Sequence, residues 1–122
     1  MAFSCPVSFD IARLRMAVRE TYERVAREPH GDFHFHRGPE YAVRVLRYDR
    51  AEVSALPRLA TDAFAGVGNP HRAGAIREGE TVLDHACGAG MDLLLAARSV
   101  GPRGRAIGVD MTPAMLERAR AA

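Results

Sequence analysis

The second part of the chain has an order of elements that few folds can accommodate. Residues 81–86 form a short β-prone run, and a glycine-rich turn follows directly. Residues 91–100 then favour a helix, residues 106–109 form a second apolar run, and Pro113 stands at the first position of another helix. A strand, a glycine turn, a helix, a second strand and a second helix in this order predict an α/β fold with a parallel sheet.

The chain before this point shows helical patterns and loops. Ser8 and Asp10 offer cap chemistry for an amphipathic helix over residues 8–28. Its apolar residues recur at three- and four-residue steps, and such a stripe predicts packing into the core. The stripe consists of Ile11, Leu14, Val18, Tyr22 and Val25.

Two further short helices are expected after a loop over residues 30–40. Asp49 and Glu52 match a capping box, and a helix is predicted to continue after Pro57 until the glycines that follow residue 65. No strand is predicted in this part. We therefore divide the chain into a helical N-terminal region, residues 1–75, and the first half of a sheet domain, residues 76–122.

Composition excludes several function classes. The chain has 122 residues, of which 48% are apolar, and this size fits one compact domain or a part of one. A formal net charge of +2 is too small to predict a nucleic-acid surface or a polybasic membrane surface. All 17 basic residues are arginine. The absence of lysine excludes a Walker-type phosphate loop, a Schiff-base enzyme and a lysine general base.

Location and metal content follow from equally simple observations. No apolar stretch approaches the ~18 residues of a membrane span, and residues 1–6 lack a secretory signal, so the cytoplasm is the expected compartment. Cys5 and Cys87 have no C-x-x-C spacing and are predicted to be reduced thiols. His30, His34 and His36 match no zinc spacing, so no metal site is predicted.

The segment most informative about chemistry runs from Asp84 to Gly90, with Asp110 twenty positions further on. Ligands of open α/β folds bind outside the carboxyl ends of parallel strands. At that edge Asp84 can accept from a cationic amino group, and Asp110 can accept from the hydroxyls of a ribose. Gly88 and Gly90 allow the backbone to approach a ligand closely and to present N–H groups.

Two nucleoside cofactors fit this layout. A dinucleotide requires the pattern G-x-G-x-x-G, but the third glycine is missing here, and Asp92 places a negative charge where a pyrophosphate would lie. The acids and glycines suit a ligand with a ribose and a zwitterionic amino-acid tail but no phosphate. S-adenosylmethionine is such a ligand, and a nicotinamide-dependent oxidoreductase is the weaker alternative.

The residues around the glycine turn resemble a known family. Residues 82–90, Val-Leu-Asp-His-Ala-Cys-Gly-Ala-Gly, are similar to the first cofactor motif of class I S-adenosylmethionine-dependent methyltransferases, Asp-x-(Gly/Ala)-x-Gly-x-Gly. Residues 95–105 and 107–116, with the upstream Gly-Val-Gly-Asn-Pro at residues 66–70, resemble the arsenite methyltransferase-like branch. The resemblance covers residues 65–122 and implies a Rossmann-like fold.

The resemblance also implies roles for individual residues. Asp84, Gly88 and Gly90 would line the methionine end of S-adenosylmethionine, Asp110 would bind its ribose, and Met111 would pack on adenine. A small molecule is the implied methyl acceptor, and no residue is identified as a catalytic base. The full predicted cofactor site consists of Asp84, Ala86, Cys87, Gly88, Gly90, Asp110 and Met111.

The sequence departs from the family pattern at three points. His85 stands where leucine or valine is commoner, and Val67 stands where arsenite enzymes of this branch carry an arsenic-binding cysteine, which argues against arsenite as the acceptor. The family's sheet has seven strands, whereas two are predicted here, so the chain is interpreted as the truncated N-terminal portion of a methyltransferase and activity of these residues alone is not expected. The alternative is a non-catalytic fragment that binds a partner or forms a homodimer through its unfinished sheet edge.

Overall fold

The computed structural model describes residues 10–122. Ser8 and Cys5, for which the sequence predicts cap chemistry and a reduced thiol, lie outside the described residues. The described part contains α1 (Ile11–Arg27), α2 (Gly38–Arg44), α3 (Arg50–Ser54), α4 (Arg58–Thr61), a 3-10 turn (Pro70–Arg72), β1 (Thr81–His85), α5 (Met91–Val100), β2 (Arg105–Val109) and α6 (Pro113–Ala121).

Helix α1 lies within the range predicted for it, residues 8–28. It begins after Asp10, whose side chain accepts a 3.0 Å hydrogen bond from the backbone N–H of Arg13, and it ends just before Pro29. The packing predicted for its apolar stripe is correct for Val25, which is fully buried, but wrong for Ile11 and Leu14, which are 62% and 44% exposed. Only the C-terminal half of α1 packs against other described elements, so the stripe there is buried and its first half is not.

Helices α3 and α4 lie where the sequence predicts them, although α4 is shorter. Asp49 accepts a 2.9 Å bond from the N–H of Glu52, as a capping residue should. The helix expected to reach residue 65 ends at Thr61. Beyond it the chain turns, and the Phe64 carbonyl accepts a 2.7 Å bond from the N–H of Gly38. This non-local bond replaces the next helical turn.

Helix α2 was not predicted from the sequence, which gave a loop over residues 30–40. The helix begins at Gly38, which has a φ of 84°, and Pro39 occupies its first turn, where proline is well tolerated. With α2 included, residues 10–75 contain no strand, as predicted.

The sheet of the described chain consists of β1 and β2 in parallel, with Thr81 opposite Arg105 and His85 opposite Val109. Helix α5 makes the crossover that a parallel pair requires. A Cβ at Gly108 would lie 2.6 Å from Leu93 and 2.8 Å from Cys87, so glycine is needed for the helix and turn to pack this closely on β2. The predicted strand–helix–strand order is thus confirmed.

The two faces of the sheet differ in burial. One face is covered by α5 and the turn that precedes it. The other face carries Leu83, Ile107 and Val109, which are 62%, 43% and 42% exposed. Successive strand residues point to opposite faces, and this alternation places all three on one surface.

Two hydrophobic clusters join the helical region to the sheet. The first packs Tyr48 and Phe64 against Met91 of α5. The second packs Val25 of α1 against Met115 of α6. Both clusters draw residues from each side of residue 75, so the division of the chain into two regions at that point stays a prediction. None of the described helices combines the length and the apolar character needed to cross a membrane.

Candidate functional site

A cavity of about 880 Å³ opens at the carboxyl ends of β1 and β2. The glycine turn forms one wall, and α1 together with residues 60–67 forms the other. Gly90, predicted to contact a ligand, is not among the lining residues: a Cβ built on it would lie 3.2 Å from Ala119 of α6, so it faces the protein. The other six predicted residues line the cavity together: Asp84, Ala86, Cys87, Gly88, Asp110 and Met111.

The turn between β1 and α5 contains three residues with positive φ. Gly88 and Gly90 have φ values of 53° and 90°, which glycine adopts at little cost. Ala86 has a φ of 65°, a conformation that costs an L-residue about 1–2 kcal/mol. Strained residues of this kind cluster at functional sites. A Cβ at Gly88 would meet no atom within 4 Å, so the cavity is open beside this turn.

The backbone N–H groups of the turn are mostly used within the protein. The Gly88 N–H donates a 2.8 Å hydrogen bond to Asp110, and the Gly90 N–H donates to the carbonyl of Cys87 at 2.9 Å. The expectation that these two glycines present N–H groups to a ligand is therefore wrong. The Gly88 and Gly90 N–H groups are bonded within the protein, and the turn therefore contributes to the cavity by forming part of its wall.

Asp110 links the turn to the start of α6. Its Oδ2 accepts from Gly88, and its Oδ1 accepts a 2.8 Å bond from the backbone N–H of Thr112. Each carboxylate oxygen can accept a second bond. Asp110 is thus held in a fixed orientation at the cavity and keeps acceptor capacity for the hydroxyls of a ligand.

Asp84 is the residue whose hydrogen bonding is incomplete. Its Oδ2 is buried and has no hydrogen-bond partner among the described residues. Burial raises the pKa of Asp84, the neighbouring charge of Asp92 raises it further, and His71 opposes the shift. A buried carboxylate oxygen without a donor is costly, so this position calls for a donor or a cation from outside the described chain.

Asp92, in the first turn of α5, is held by two side chains from the helical region. The Tyr48 hydroxyl donates to its Oδ1 at 2.8 Å, and His71 Nε2 lies 3.0 Å from the same oxygen. Burial raises the pKa of Asp92, and its two partners oppose that shift. Burial also raises the pKa of Tyr48, and the hydrogen bond to Asp92 adds to the effect.

Sequence reasoning missed Tyr48 and His71 as members of the site. They lie 44 and 21 residues before Asp92, and no local pattern connects residues at such separations. The one signal in the sequence was Asp92, an acid beside a glycine turn. From the sequence, Asp92 was used only to argue against a bound pyrophosphate.

Cys87 is buried beneath the turn. Burial raises the pKa of its thiol to about 11, and the charges of Asp84 and Asp110 add to the shift. The thiolate is the nucleophile and the metal-binding form of cysteine, so at neutral pH Cys87 is in the unreactive thiol form. Its role in the described chain is that of a small residue packed against Gly108.

The cavity wall opposite the turn is largely apolar. Val67 lies at the rim and is 96% exposed, and Met111 on the other side is half exposed. The sole charged side chain that α1 contributes to the lining is Arg15. The remaining residues of this wall are Val18, Tyr22, Ala60, Ala63, Phe64, Ala65 and Gly66.

The three histidines near the start of the chain do not converge. His30 Nε2 lies 3.4 Å from Asp62, His36 stacks on Tyr41, and His34 packs edge-on against the ring next to it. Among residues 10–122 no three His, Cys, Asp or Glu side chains are arranged to hold a metal ion.

Comparison with known proteins gives matches over the second part of the chain and beyond it. Residues 76–122 match a family model described as a methyltransferase domain. The chain is 51% identical over 75 residues to an arsenite methyltransferase of Halobacterium salinarum, a match that covers 62% of this chain and 19% of that protein. It is 44% identical over 71 residues to an uncharacterised 37.1 kDa protein in transposon TN4556 of Streptomyces fradiae, covering 57% of this chain and 21% of that protein.

The chain therefore spans about a fifth of the length of the curated relatives it matches. No solved structure gives a significant match.

Proposed function

We propose that this chain forms part of an S-adenosylmethionine-dependent methyltransferase acting on a small acceptor, because residues 76–122 match a methyltransferase domain family model. The family, and the Rossmann-like α/β fold class with it, is the one predicted from the sequence. The observation that carries the proposal is that Asp84, whose buried Oδ2 has no hydrogen-bond partner among the described residues, lines a cavity of about 880 Å³ at the strand ends. That position suits the ammonium group of the cofactor's amino-acid tail.

The residues of the cavity fit the other parts of the cofactor. Asp110 retains acceptor capacity for the ribose hydroxyls, and Met111 offers a half-exposed side chain for adenine. Ala86, Cys87 and Gly88 border the methionine end, where the absence of a Cβ at Gly88 leaves space for the ligand. Gly90 would support the site indirectly, by setting the turn before α5.

The chemistry places few demands on the protein. The cofactor supplies a methyl group on a sulfonium, whose leaving group is already activated. The residues of this chain would bind the cofactor, fix its orientation and keep one side of the cavity apolar, and positioning of this kind is a large part of such a reaction. We assign no catalytic base among these residues.

The methyl acceptor is proposed to be a small molecule that is not held by thiolates of the described residues. The Halobacterium salinarum relative is named for arsenite, a soft substrate, and soft centres require soft ligands. Val67 occupies the position at which the sequence resemblance implies an arsenic-binding cysteine, and it lies exposed at the cavity rim. Cys87 lines the cavity as a protonated thiol. The cytoplasmic location and the absence of nucleic-acid partners stay predictions from composition.

Isothermal titration calorimetry with S-adenosylhomocysteine tests the proposed cofactor site. The unsubstituted chain is expected to bind, and Asp110→Ala is expected to weaken binding at least about tenfold, because two hydrogen bonds to a charged acceptor are lost. Glu40→Gln is the matched control, since Glu40 is exposed, pairs with Arg50 and lies outside the cavity.

Two results would count against the assignment. One is the absence of heat with S-adenosylhomocysteine. The other is tighter binding of the oxidised nicotinamide dinucleotide, which would favour the oxidoreductase alternative. We expect no dinucleotide binding, since the mostly buried Asp92 occupies the first turn of α5, where a pyrophosphate would need a positive environment.

A second candidate function, self-association through the sheet, has a specific observation in its favour. Leu83, Ile107 and Val109 form an exposed apolar surface on one face of the two-stranded sheet. Each strand also has one edge without a neighbouring strand in the described chain, and such edges are templates for pairing. A second copy of this chain is the partner that this candidate requires.

A further inference from the structure

We propose that Asp92 is a second binding residue for the ammonium group of the ligand, beside Asp84, and that Tyr48 and His71 are positioning residues for the Asp92 carboxylate. The inference rests on the proposed function, because it concerns the same cavity and the same cofactor. It adds three residues that neither the motif nor the family resemblance assigned.

Among the described residues, the Asp92 carboxylate is hydrogen-bonded through one oxygen. Both described hydrogen bonds fall on its Oδ1, one from Tyr48 at 2.8 Å and one from His71 at 3.0 Å. Its Oδ2 receives none of the hydrogen bonds found within residues 10–122. The side chain is 21% exposed and lines the same cavity as Asp84. The carboxylate therefore presents one satisfied oxygen to the protein and has one oxygen left for a ligand.

Two acidic side chains, Asp84 and Asp92, line this end of the cavity. Asp84 and Asp92 are close enough for the charge of Asp92 to raise the pKa of Asp84. Two mostly buried carboxylates that repel each other are stabilised by a cation that both can contact. An ammonium group has three N–H donors, which is enough for both the Asp84 and the Asp92 carboxylates that line this cavity.

The two donors to Asp92, Tyr48 and His71, are themselves held by neighbouring residues. The Tyr48 ring packs edge-on against Phe64, with 5.5 Å between the centroids, and Tyr48 is 5% exposed. Its hydroxyl lies 3.1 Å from the Gly68 carbonyl and 2.8 Å from Asp92, and its single proton favours the shorter bond to the charged acceptor. His71 is fixed by Asn69, whose side chain accepts from the His71 backbone N–H at 3.1 Å.

The fixed donors favour the ionised form of Asp92 and so act against the effect of burial. A carboxylate in the first turn of a helix is favoured by the positive end of the helix dipole. Tyr48 and His71 add two donors, which oppose the rise in the pKa of Asp92 that burial causes. With Oδ1 anchored in this way, the rotation of the carboxylate is restricted and Oδ2 is preorganised for the ligand.

The test compares two ligands on the full chain by calorimetry. One is S-adenosylhomocysteine, and the other is its analogue with hydrogen in place of the α-amino group. The unsubstituted chain is expected to prefer the amino compound at least about tenfold, the usual value of a hydrogen-bonded charge. Asp92→Asn is expected to reduce this preference several-fold, whereas Glu40→Gln, the matched acid-to-amide control outside the cavity, should leave both affinities and the preference unchanged.

The positioning residues are tested by the same ratio of affinities. Tyr48→Phe keeps the ring against Phe64 but removes the donor, and His71→Leu removes the imidazole, so each is expected to lower the preference for the amino compound. His71→Gln restores an N–H at a similar distance and is expected to recover part of it. Thermal unfolding of each variant reports whether the fold is intact.

The possible results distinguish a failure of this inference from a failure of the proposed function. If Asp92→Asn weakens both ligands equally, Asp92 has a structural role and the inference is overturned while the proposed function stands. The same holds if the preference survives unchanged in Asp92→Asn with normal affinity. If the unsubstituted chain binds neither ligand, the proposed function fails and the inference falls with it.

Discussion

At the scale of single residues, Asp84 couples stability to binding. Its buried Oδ2 has no donor in the described chain, which disfavours the folded state at pH values where the carboxylate is charged. The same oxygen is what a ligand ammonium group would satisfy. A site residue that is unfavourable without its ligand and favourable with it is typical of the trade between stability and function.

Asp84→Asn is expected to raise the free energy of unfolding at about pH 7 while weakening binding of S-adenosylhomocysteine. Burial raises the pKa of Asp84 in the folded chain above its ordinary 3.8. At pH values between 3.8 and the raised pKa, the folded chain therefore binds more protons than the unfolded chain. The unsubstituted chain therefore loses stability as the pH rises through this window, and the advantage of the variant should shrink as the pH falls towards about 4. Urea denaturation at several pH values measures the difference.

Asp32→Asn provides the control for this experiment, since Asp32 is exposed. It is expected to leave the free energy of unfolding nearly unchanged at each pH. A variant Asp84→Asn that is less stable than the unsubstituted chain at neutral pH would show that the carboxylate has a donor in solution.

The residues of the candidate site differ in how well the sequence predicts them. Asp84 and Asp110 are predictable because each follows a strand, and the ends of adjacent parallel strands must lie together. Tyr48 and His71 reach Asp92 only through tertiary packing, which no local pattern encodes. The hydrogen bond from the Gly88 N–H to Asp110 could not be predicted from the sequence either, because it depends on the distance between the two strand ends.

At the scale of elements, the sheet unit follows from local signals better than the helical region does. Helix α5 has its predicted bounds, and both strands are within a residue of theirs. By contrast, α2 was missed and α4 is shorter than expected, because the bond from Gly38 to Phe64 ends one helix and places the start of another. Non-local bonds of this kind override propensity in short helices, which gain little from their own cooperativity.

Arg118 of α6 is expected to be the side chain that fixes the helical region over the sheet unit. It donates to the carbonyl of Leu59 at 2.8 Å and to the carbonyl of Ala26 at 2.9 Å, at the ends of α4 and α1. Arg118→Ala removes both charged donors and is expected to cost about 1–3 kcal/mol in the free energy of unfolding, measured by urea denaturation.

Arg120→Ala is the matched control on the same helix. Arg120 is exposed, so its loss is expected to change stability by no more than about 0.5 kcal/mol. Equal effects of the two substitutions would mean that the Arg118 hydrogen bonds do not hold the elements together.

At the scale of the whole molecule, the exposed sheet face is the surface on which the second candidate function, self-association, depends. Light scattering after size-exclusion chromatography is expected to give the mass of a dimer at high protein concentration. Ile107→Glu places a charge in the apolar surface and should shift the chain to the monomer. Val45→Glu is the control, since Val45 is 60% exposed but lies on the helical side, and it should leave the dimer intact. A monomeric mass at every concentration would remove the second candidate function.

The function of this chain depends on which ligand enters the cavity at the strand ends. A crystal structure of this chain with S-adenosylhomocysteine tests that point most directly. We predict the ligand in the cavity of about 880 Å³, with its ammonium nitrogen within hydrogen-bond distance of Asp84 Oδ2 and its ribose hydroxyls on Asp110. A ligand bound elsewhere on the chain, with Asp84 Oδ2 still lacking a partner, would contradict the account.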